Sequence, residues 1–294
     1  MKLGILGGGA WGTALAQVAS AGGEALLWAL EDEVIGTINR LHQNPIYLPG
    51  VELDPAIRAT GNFSELSGCD AWLVVTPAQH MRAILERMPC PEMPLVLCAK
   101  GIEESSGKLL HEVAKEVCPS SPVAVLSGPT FADEVAKGLP TAVTLAAEKL
   151  DLAEGLRARI ARPEFRIYVS DDVTGAEIGG AVKNVLAIAC GAQRETLAGL
   201  SGLGDLVLTC SSKSSRNYSL GIGIGEGCSA AELLADRRTV AEGAFTAPVL
   251  ARVSREKGID MPIVNAVDAL VAGRANVDQV LDELLSRPPR AEGA

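Results

Sequence analysis

The 294-residue chain predicts an α/β fold in which a doubly wound, mostly parallel sheet is followed by an all-helical C-terminal domain. Three observations carry this expectation. The run Gly7-Gly8-Gly9-Ala10-Trp11-Gly12 stands between an apolar stretch, Leu3-Gly4-Ile5-Leu6, and the helix-prone Thr13-Ala14-Leu15-Ala16. Short continuous apolar runs then recur at helix-length intervals to about residue 170, the pattern of strands covered on both faces. From Val173 onward, alanine- and leucine-rich segments of helical period replace them. The expected domains are therefore 1–172 and 173–294.

Taken in order, the first unit reads strand, glycine turn, helix. Gly7 and Gly9 let the backbone turn sharply and approach a pyrophosphate, and Gly12 lets the helix sit close to the strand. The N-terminus of that helix then faces the phosphates. The glycine spacing alone is weak, and its place between a strand and a helix makes it a dinucleotide signal. Further strands are expected over 25–28, 71–75, 95–98, 123–126, 142–145 and 166–169. Helices are expected over 174–189, 230–234, 248–256 and 277–285, with a loose tail from Ser286. Gly221-Ile222-Gly223-Ile224-Gly225-Glu226-Gly227 imitates a second nucleotide loop, but no strand precedes it; a glycine-punctuated helical turn or loop is the better reading.

Composition narrows the function classes. An apolar content of 48% and mean hydropathy of +0.23 belong to a folded globular protein. A net charge of -10 opposes nucleic acid as a partner. With a strand starting near Lys2 and no apolar run near ~20 residues, no secretory signal or membrane insertion is expected, and the cytoplasm is the expected location. The seven cysteines lack C-x-x-C spacing and read as reduced packing thiols. Three scattered histidines make no metal site.

In an open parallel sheet, ligands bind beyond the carboxyl ends of the strands. Lys100-Gly101 follows one strand and Ser127-Gly128-Pro129-Thr130 the next. Lys100 ends an apolar run, where a merely solvating lysine is less expected; Ser127 to Thr130 is either a ligand turn or a plain turn with Thr130 as helix N-cap. In the helical domain, Lys183 shares a helix face with Gly179, Gly180, Leu186 and Ala187. Apolar walls disfavour an ammonium's charged form, which suits proton exchange. The alternatives are a lysine that snorkels to solvent or pairs with Glu177. Gly202-Leu203-Gly204-Asp205, then Thr209 and Ser215-Arg216-Asn217, offer planar and amide donors for a phosphate or hydroxyls. Singly, each is more often a cap or surface residue.

Together these segments resemble the bacterial-type NAD(P)-dependent glycerol-3-phosphate dehydrogenases over nearly the whole chain. The resemblance is carried by 7–16, Tyr47-Leu48-Pro49, Cys98-Ala99-Lys100-Gly101, Ser127-Gly128-Pro129-Thr130-Phe131-Ala132, Gly180-Ala181-Val182-Lys183-Asn184, 202–210, Ser215-Arg216-Asn217 and Glu242-Gly243. It implies a Rossmann domain, a helical catalytic domain, and reversible reduction of dihydroxyacetone phosphate to sn-glycerol 3-phosphate for phospholipid synthesis. It makes Lys183 the proton donor to the C2 oxygen, with Lys100 and Asp205 orienting that oxygen and Asn184 and Thr209 as support. Gly128, Thr130, Ser215, Arg216 and Asn217 match substrate-contacting positions. Gly7, Gly9, Trp11, Gly12, Lys100, Ala132, Arg216, Val240 and Glu242 match cofactor-contacting ones.

Two departures stand out. Leu30, after the second strand, replaces the cation often found there to meet the 2′-phosphate of NADP, and Glu31 beside it suits a ribose hydroxyl, so NADH is expected to be preferred. After Cys190, Gly191-Ala192-Gln193 leads almost at once to the Gly-Leu-Gly-Asp segment, where the family has further helices. A break in the chain near 190–192, with the numbering running over it, is expected, visible as Cα spacing beyond the ~3.8 Å of a trans peptide; a genuine deletion is the alternative. Other readings are another two-domain dehydrogenase of a hydroxy acid or sugar phosphate, and a catalytically silent NAD-binding module. A homodimer is a further possibility.

Overall fold

The computed structural model describes residues 2–88, 92–192, 215–235 and 241–286. Two compact units divide at Gly180/Ala181, inside a helix rather than at the expected 172/173. The first two turns of that helix belong with the sheet: Val173 is buried in its core and Ala176 packs against it.

The first unit is an eight-stranded sheet ordered β3-β2-β1-β4-β5-β6-β7-β8. Its strands are β1 (Leu3–Leu6), β2 (Ala25–Trp28), β3 (Ile57–Thr60), β4 (Ala71–Val74), β5 (Leu95–Leu97), β6 (Val123–Ser127), β7 (Thr141–Ala147) and β8 (Phe165–Ser170). Between them run α1 (Ala10–Ser20), α2 (Asp32–Leu41), α3 (Met81–Glu86), α4 (Leu110–Val117), α5 (Ala132–Ala136) and α6 (Leu150–Ile160). Alternate strand residues enter two separate cores. Leu3, Ile5, Leu73 and Val96 join α1, α2 and α6 on one face, while Leu6, Trp72, Val74, Leu95 and Leu97 join α3 and α4 on the other. Burial of both faces is why these strands read as unbroken apolar runs.

All pairings are parallel except β6 with β7. The five residues of α5 rise about 7.5 Å, roughly half the ~17 Å of the preceding strand. They cannot carry the chain back along the sheet, so β7 returns antiparallel. The eleven-residue α6 can, and β8 lies parallel to β7. The sequence reading missed β3, because Arg58 interrupts a four-residue strand that also ends in a polar Thr60, leaving no continuous apolar run. Thr130 is not a helix cap; Phe131 occupies the N-cap of α5, with no side-chain capping bond.

The second unit begins within α7 (Val173–Ala192) and continues through α8 (Arg216–Gly225), α9 (Ala230–Leu233), α10 (Glu242–Glu256), α11 (Pro262–Val271) and α12 (Val277–Leu285). Val185, Ile188, Leu220, Ala247, Val264 and Val267 form its core. The glycine-punctuated stretch lies mostly within α8, and the chain turns at Gly227, where φ is +94°. Helix α10 starts six residues before the expected 248, with Pro248 inside it. α7 runs through residues 190–192 without interruption, where the sequence reading expects a break in the chain. Among the described residues, no helix is long and apolar enough to cross a membrane.

Candidate functional site

The glycine turn is built by three separate steric demands. Gly7 has φ +129°, which L side chains rarely adopt, and its N–H donates to Trp28 O at 3.0 Å. A Cβ on Gly12 would stand 1.8 Å from Gly7 O, so the helix can approach the strand only as glycine. A Cβ on Gly9 would meet nothing within 4 Å. Gly9 is therefore open space at the N-cap of α1, where no side chain caps the helix and no acidic residue sits in the first turn. Unspent amide N–H groups and the positive end of the helix dipole suit a pyrophosphate. Trp11 is half-buried in that first turn. Thr76 lies just beyond β4 beside Gly7, its hydroxyl buried and without a hydrogen-bond partner. These residues fit a dinucleotide.

Two side chains that the sequence reading did not place in the site support the turn. Asn44, fully buried, donates from Nδ2 to Gly8 O at 2.9 Å and to Thr13 Oγ1 at 2.8 Å. Tyr47, three residues on, donates to Glu31 Oε1 at 2.8 Å. Asn44 carries no periodic signal, since a buried amide in a loop looks like any turn residue. Leu30, beside Glu31, is 71% exposed.

Farther along the same sheet edge, Lys100 Nζ donates to Gly128 O at 2.7 Å, joining two predicted site residues from the ends of β5 and β6. A Cβ on Gly180 would lie 3.0 Å from Ser127 Oγ and 3.4 Å from Lys100 Cγ, so this glycine of α7 lets the lysine stem pass. Gly128 is itself pressed against β7, 2.8 Å from Val143 Cα at the position of an added Cβ. Thr130 and Ala132, in the turn and at the first residue of α5, are half-buried. The loop after Lys100 is held from below: Arg82 grips Glu103 through Nε and Nη2 at 2.8 and 2.9 Å, and Gln79 donates to Ile102 O. The Arg82 guanidinium holds the Glu103 carboxyl below the usual carboxylate range.

Glu177, one of the possible partners of Lys183, is taken by His111. His111 N–H donates to Glu177 Oε1 at 3.0 Å and His111 Nδ1 meets Oε2 at 2.6 Å. The Glu177 hydrogen bond raises the His111 pKa, against partial desolvation. The pair ties α4 to the start of α7.

In the helical unit, Lys183 and Asn184 are 9% and 7% exposed. Asn217 Oδ1 accepts from Gly243 N–H at 3.0 Å, and a Cβ on Gly243 would lie 2.5 Å from Asn184 O. Asn184, Asn217 and Gly243 therefore share one tight cluster. Ser215, buried, is the N-cap of α8, its Oγ accepting from Tyr218 N–H at 3.3 Å. Arg216 is exposed at the first residue of α8, and Glu242 is half-buried at the first residue of α10. Asp205, Thr209 and Val240 lie outside the described residues.

Residues 2–153 match the family model for the NAD-dependent glycerol-3-phosphate dehydrogenase N-terminus, and residues 190–282 that for its C-terminus. A protein of Erythrobacter litoralis named glycerol-3-phosphate dehydrogenase [NAD(P)+] is 57% identical over 323 aligned positions, covering 99% of this chain and 98% of that one. One from Parvibaculum lavamentivorans with the same name is 50% identical over 327, again covering 99% and 98%. Both alignments are longer than this chain's 294 residues, so these relatives carry internal positions that it lacks. The crystal structure of glycerol-3-phosphate dehydrogenase from Coxiella burnetii superimposes with a TM-score of 0.88 at 31% identity, covering 97% of this chain and 99% of that one. From its glycine turn to its C-terminal helices, the chain belongs to the NAD-dependent glycerol-3-phosphate dehydrogenase family.

Proposed function

We propose that the chain reversibly reduces dihydroxyacetone phosphate to sn-glycerol 3-phosphate, supplying glycerophospholipid synthesis in the cytoplasm. The observation that carries this reading is the meeting of Lys100, Gly128 and Gly180 at the strand ends, on residues that match the family's motif. When bound, NADH supplies the hydride. Lys183 donates the proton to the C2 oxygen in reduction and takes it back in oxidation, a role its burial on α7 supports. Lys100, held by its bond to Gly128 O, orients the same oxygen together with Asp205. Asn184 and Thr209 support that arrangement. Gly128 and Thr130 border the substrate, while Ser215, Arg216 and Asn217 hold its phosphate. The exposed Arg216 guanidinium suits bidentate phosphate contact, and Asn217 retains its amide N–H groups as donors.

Gly7, Gly9, Trp11 and Gly12 take the dinucleotide, with Lys100, Ala132, Arg216, Val240 and Glu242 completing its contacts. The preferred cofactor is NADH: Leu30 offers no cation to a 2′-phosphate, and Glu31, Asp32 and Glu33 place three consecutive carboxylates at the end of β2. The substrate is a small phosphorylated molecule, and the assembly a homodimer, to be read from solution mass.

Loss of NADH absorbance on adding dihydroxyacetone phosphate tests the activity. A protein that binds NADH yet leaves it unoxidised is instead a silent nucleotide-binding module. Comparing kcat/KM for NADH and NADPH tests the cofactor choice, and an advantage for NADPH refutes it.

A further inference from the structure

The motif Tyr47-Leu48-Pro49 has no place in the proposed chemistry, yet its loop is among the most firmly tied in the sheet unit. α2 ends at His42, a left-handed residue with φ 51°, and Leu53 N–H returns to His42 O at 2.8 Å. Leu48, Val51 and Leu53 are buried in the same core as β1 and β2. Between these anchors, Asn44 reaches Gly8 O and Thr13 Oγ1 through Nδ2 and accepts from Tyr47 N–H through Oδ1 at 3.3 Å. Tyr47 OH in turn donates to Glu31 Oε1. One loop thus braces the glycine turn and the carboxylate after β2, which in a dinucleotide domain stand at the pyrophosphate and the adenosine ribose.

We infer that Tyr47 is a specificity-determining positioning residue, fixing the Glu31 carboxylate so that this chain discriminates between NADH and NADPH. The inference rests on the proposed reading of Glu31 as the group that meets the ribose. A carboxylate on a free side chain can swing away from a 2′-phosphate and relieve the repulsion; one held by a phenol cannot without breaking a charge-assisted hydrogen bond. With Oε1 on Tyr47, Oε2 remains to accept from a ribose hydroxyl. Asn44 keeps the phenol at the right height by holding the Tyr47 backbone to the same frame as Gly8. The competing account is that Tyr47 only closes the start of α2.

The test is a double-mutant cycle on direct binding. Kd values for NADH and NADPH are measured by nicotinamide fluorescence titration for the native chain, Tyr47→Phe, Glu31→Gln and the double variant, with KM and kcat for each nucleotide alongside. Tyr47→Phe removes one oxygen and is expected to narrow the NADPH/NADH ratio of Kd by roughly 5- to 10-fold, the size of a hydrogen bond to a charged group at a half-exposed site. The change falls on Kd and KM rather than on kcat. Glu31→Gln narrows the ratio by itself, and adding Tyr47→Phe to it changes the ratio no further. An unchanged ratio in Tyr47→Phe, or an equal change with and without Glu31, overturns the inference. A native chain that binds NADPH more tightly overturns the cofactor reading instead, a separate result visible before any variant is made.

Discussion

The sheet unit and the helical unit position their functional groups in opposite ways. In the sheet unit, the parallel pairing of β1 to β6 brings their carboxyl ends to the same edge, so Gly7, Thr76, Lys100 and Gly128, far apart in sequence, arrive together because each stands within three residues of the end of its strand. In the helical unit, no shared edge exists. Asn184 comes from within α7, Asn217 from the first turn of α8 and Gly243 from the first turn of α10, and a backbone carbonyl, an amide and a missing side chain hold them together. Topology guarantees the first arrangement, whereas the second depends on local packing. Substitutions in the helical unit should therefore disturb chemistry or stability one contact at a time, and substitutions at the sheet edge should disturb nucleotide binding as a whole.

The largest expected effect separates chemistry from binding. Lys183→Ala is expected to lower kcat by about 10²- to 10⁴-fold while NADH affinity, measured by titration, stays close to native. Near-normal turnover would remove Lys183 from its role. Gly12→Val comes next, because its Cβ has only 1.8 Å to Gly7 O. Loss of NADH binding is expected together with roughly 1–3 kcal/mol or more of stability; a variant that binds NADH normally would show that the turn tolerates separation from α1.

Gly243→Ala probes the helical cluster in the same currency. Its added methyl would press on Asn184 O at 2.5 Å, and a stability loss of about 1–3 kcal/mol is expected in denaturant melts. Gly179→Ala is the counterpart, since the added carbon meets nothing within 4 Å. It is expected to stabilise α7 by up to about 1 kcal/mol, and a clear destabilisation would mean that the position needs glycine for another reason.

The His111–Glu177 pair gives a pH-dependent comparison. Its hydrogen bond raises the His111 pKa in the folded state, so its added stability is complete below the ordinary histidine value of about 6.5 and fades as pH rises through the folded value. His111→Asn should cost roughly 1–3 kcal/mol at pH 6, and the difference from the native chain should shrink by pH 9. Chemical denaturation across that range checks it; a pH-independent gap would mean that the pair contributes only packing.

Much of the sheet unit was legible because its strands are buried on both faces and glycine leaves a spacing that few other needs produce. β3 was not, since four residues with Arg58 in them carry too little apolar pattern. Thr130 read as part of a ligand turn or as the N-cap of the next helix, and only the backbone at Phe131 rules out the cap. Ser215 read as a cap or a ligand, and it is a cap whose hydroxyl proton is still available to a ligand. Asn44 and the His111–Glu177 pair were invisible because partners 31, 36 and 66 residues away leave no periodic trace.

By itself, the sequence determined the order of elements, the glycine turn, the strand-end lysine and the family to which these motifs belong, because each is written in contiguous residues with a local physical meaning. Tertiary structure alone decided which carbonyl receives Lys100, that Glu177 belongs to His111, that Tyr47 holds Glu31, and that β7 runs antiparallel. Those outcomes depend on distances between chain-remote groups and on how far a five-residue helix can reach, quantities that exist only once the chain has folded.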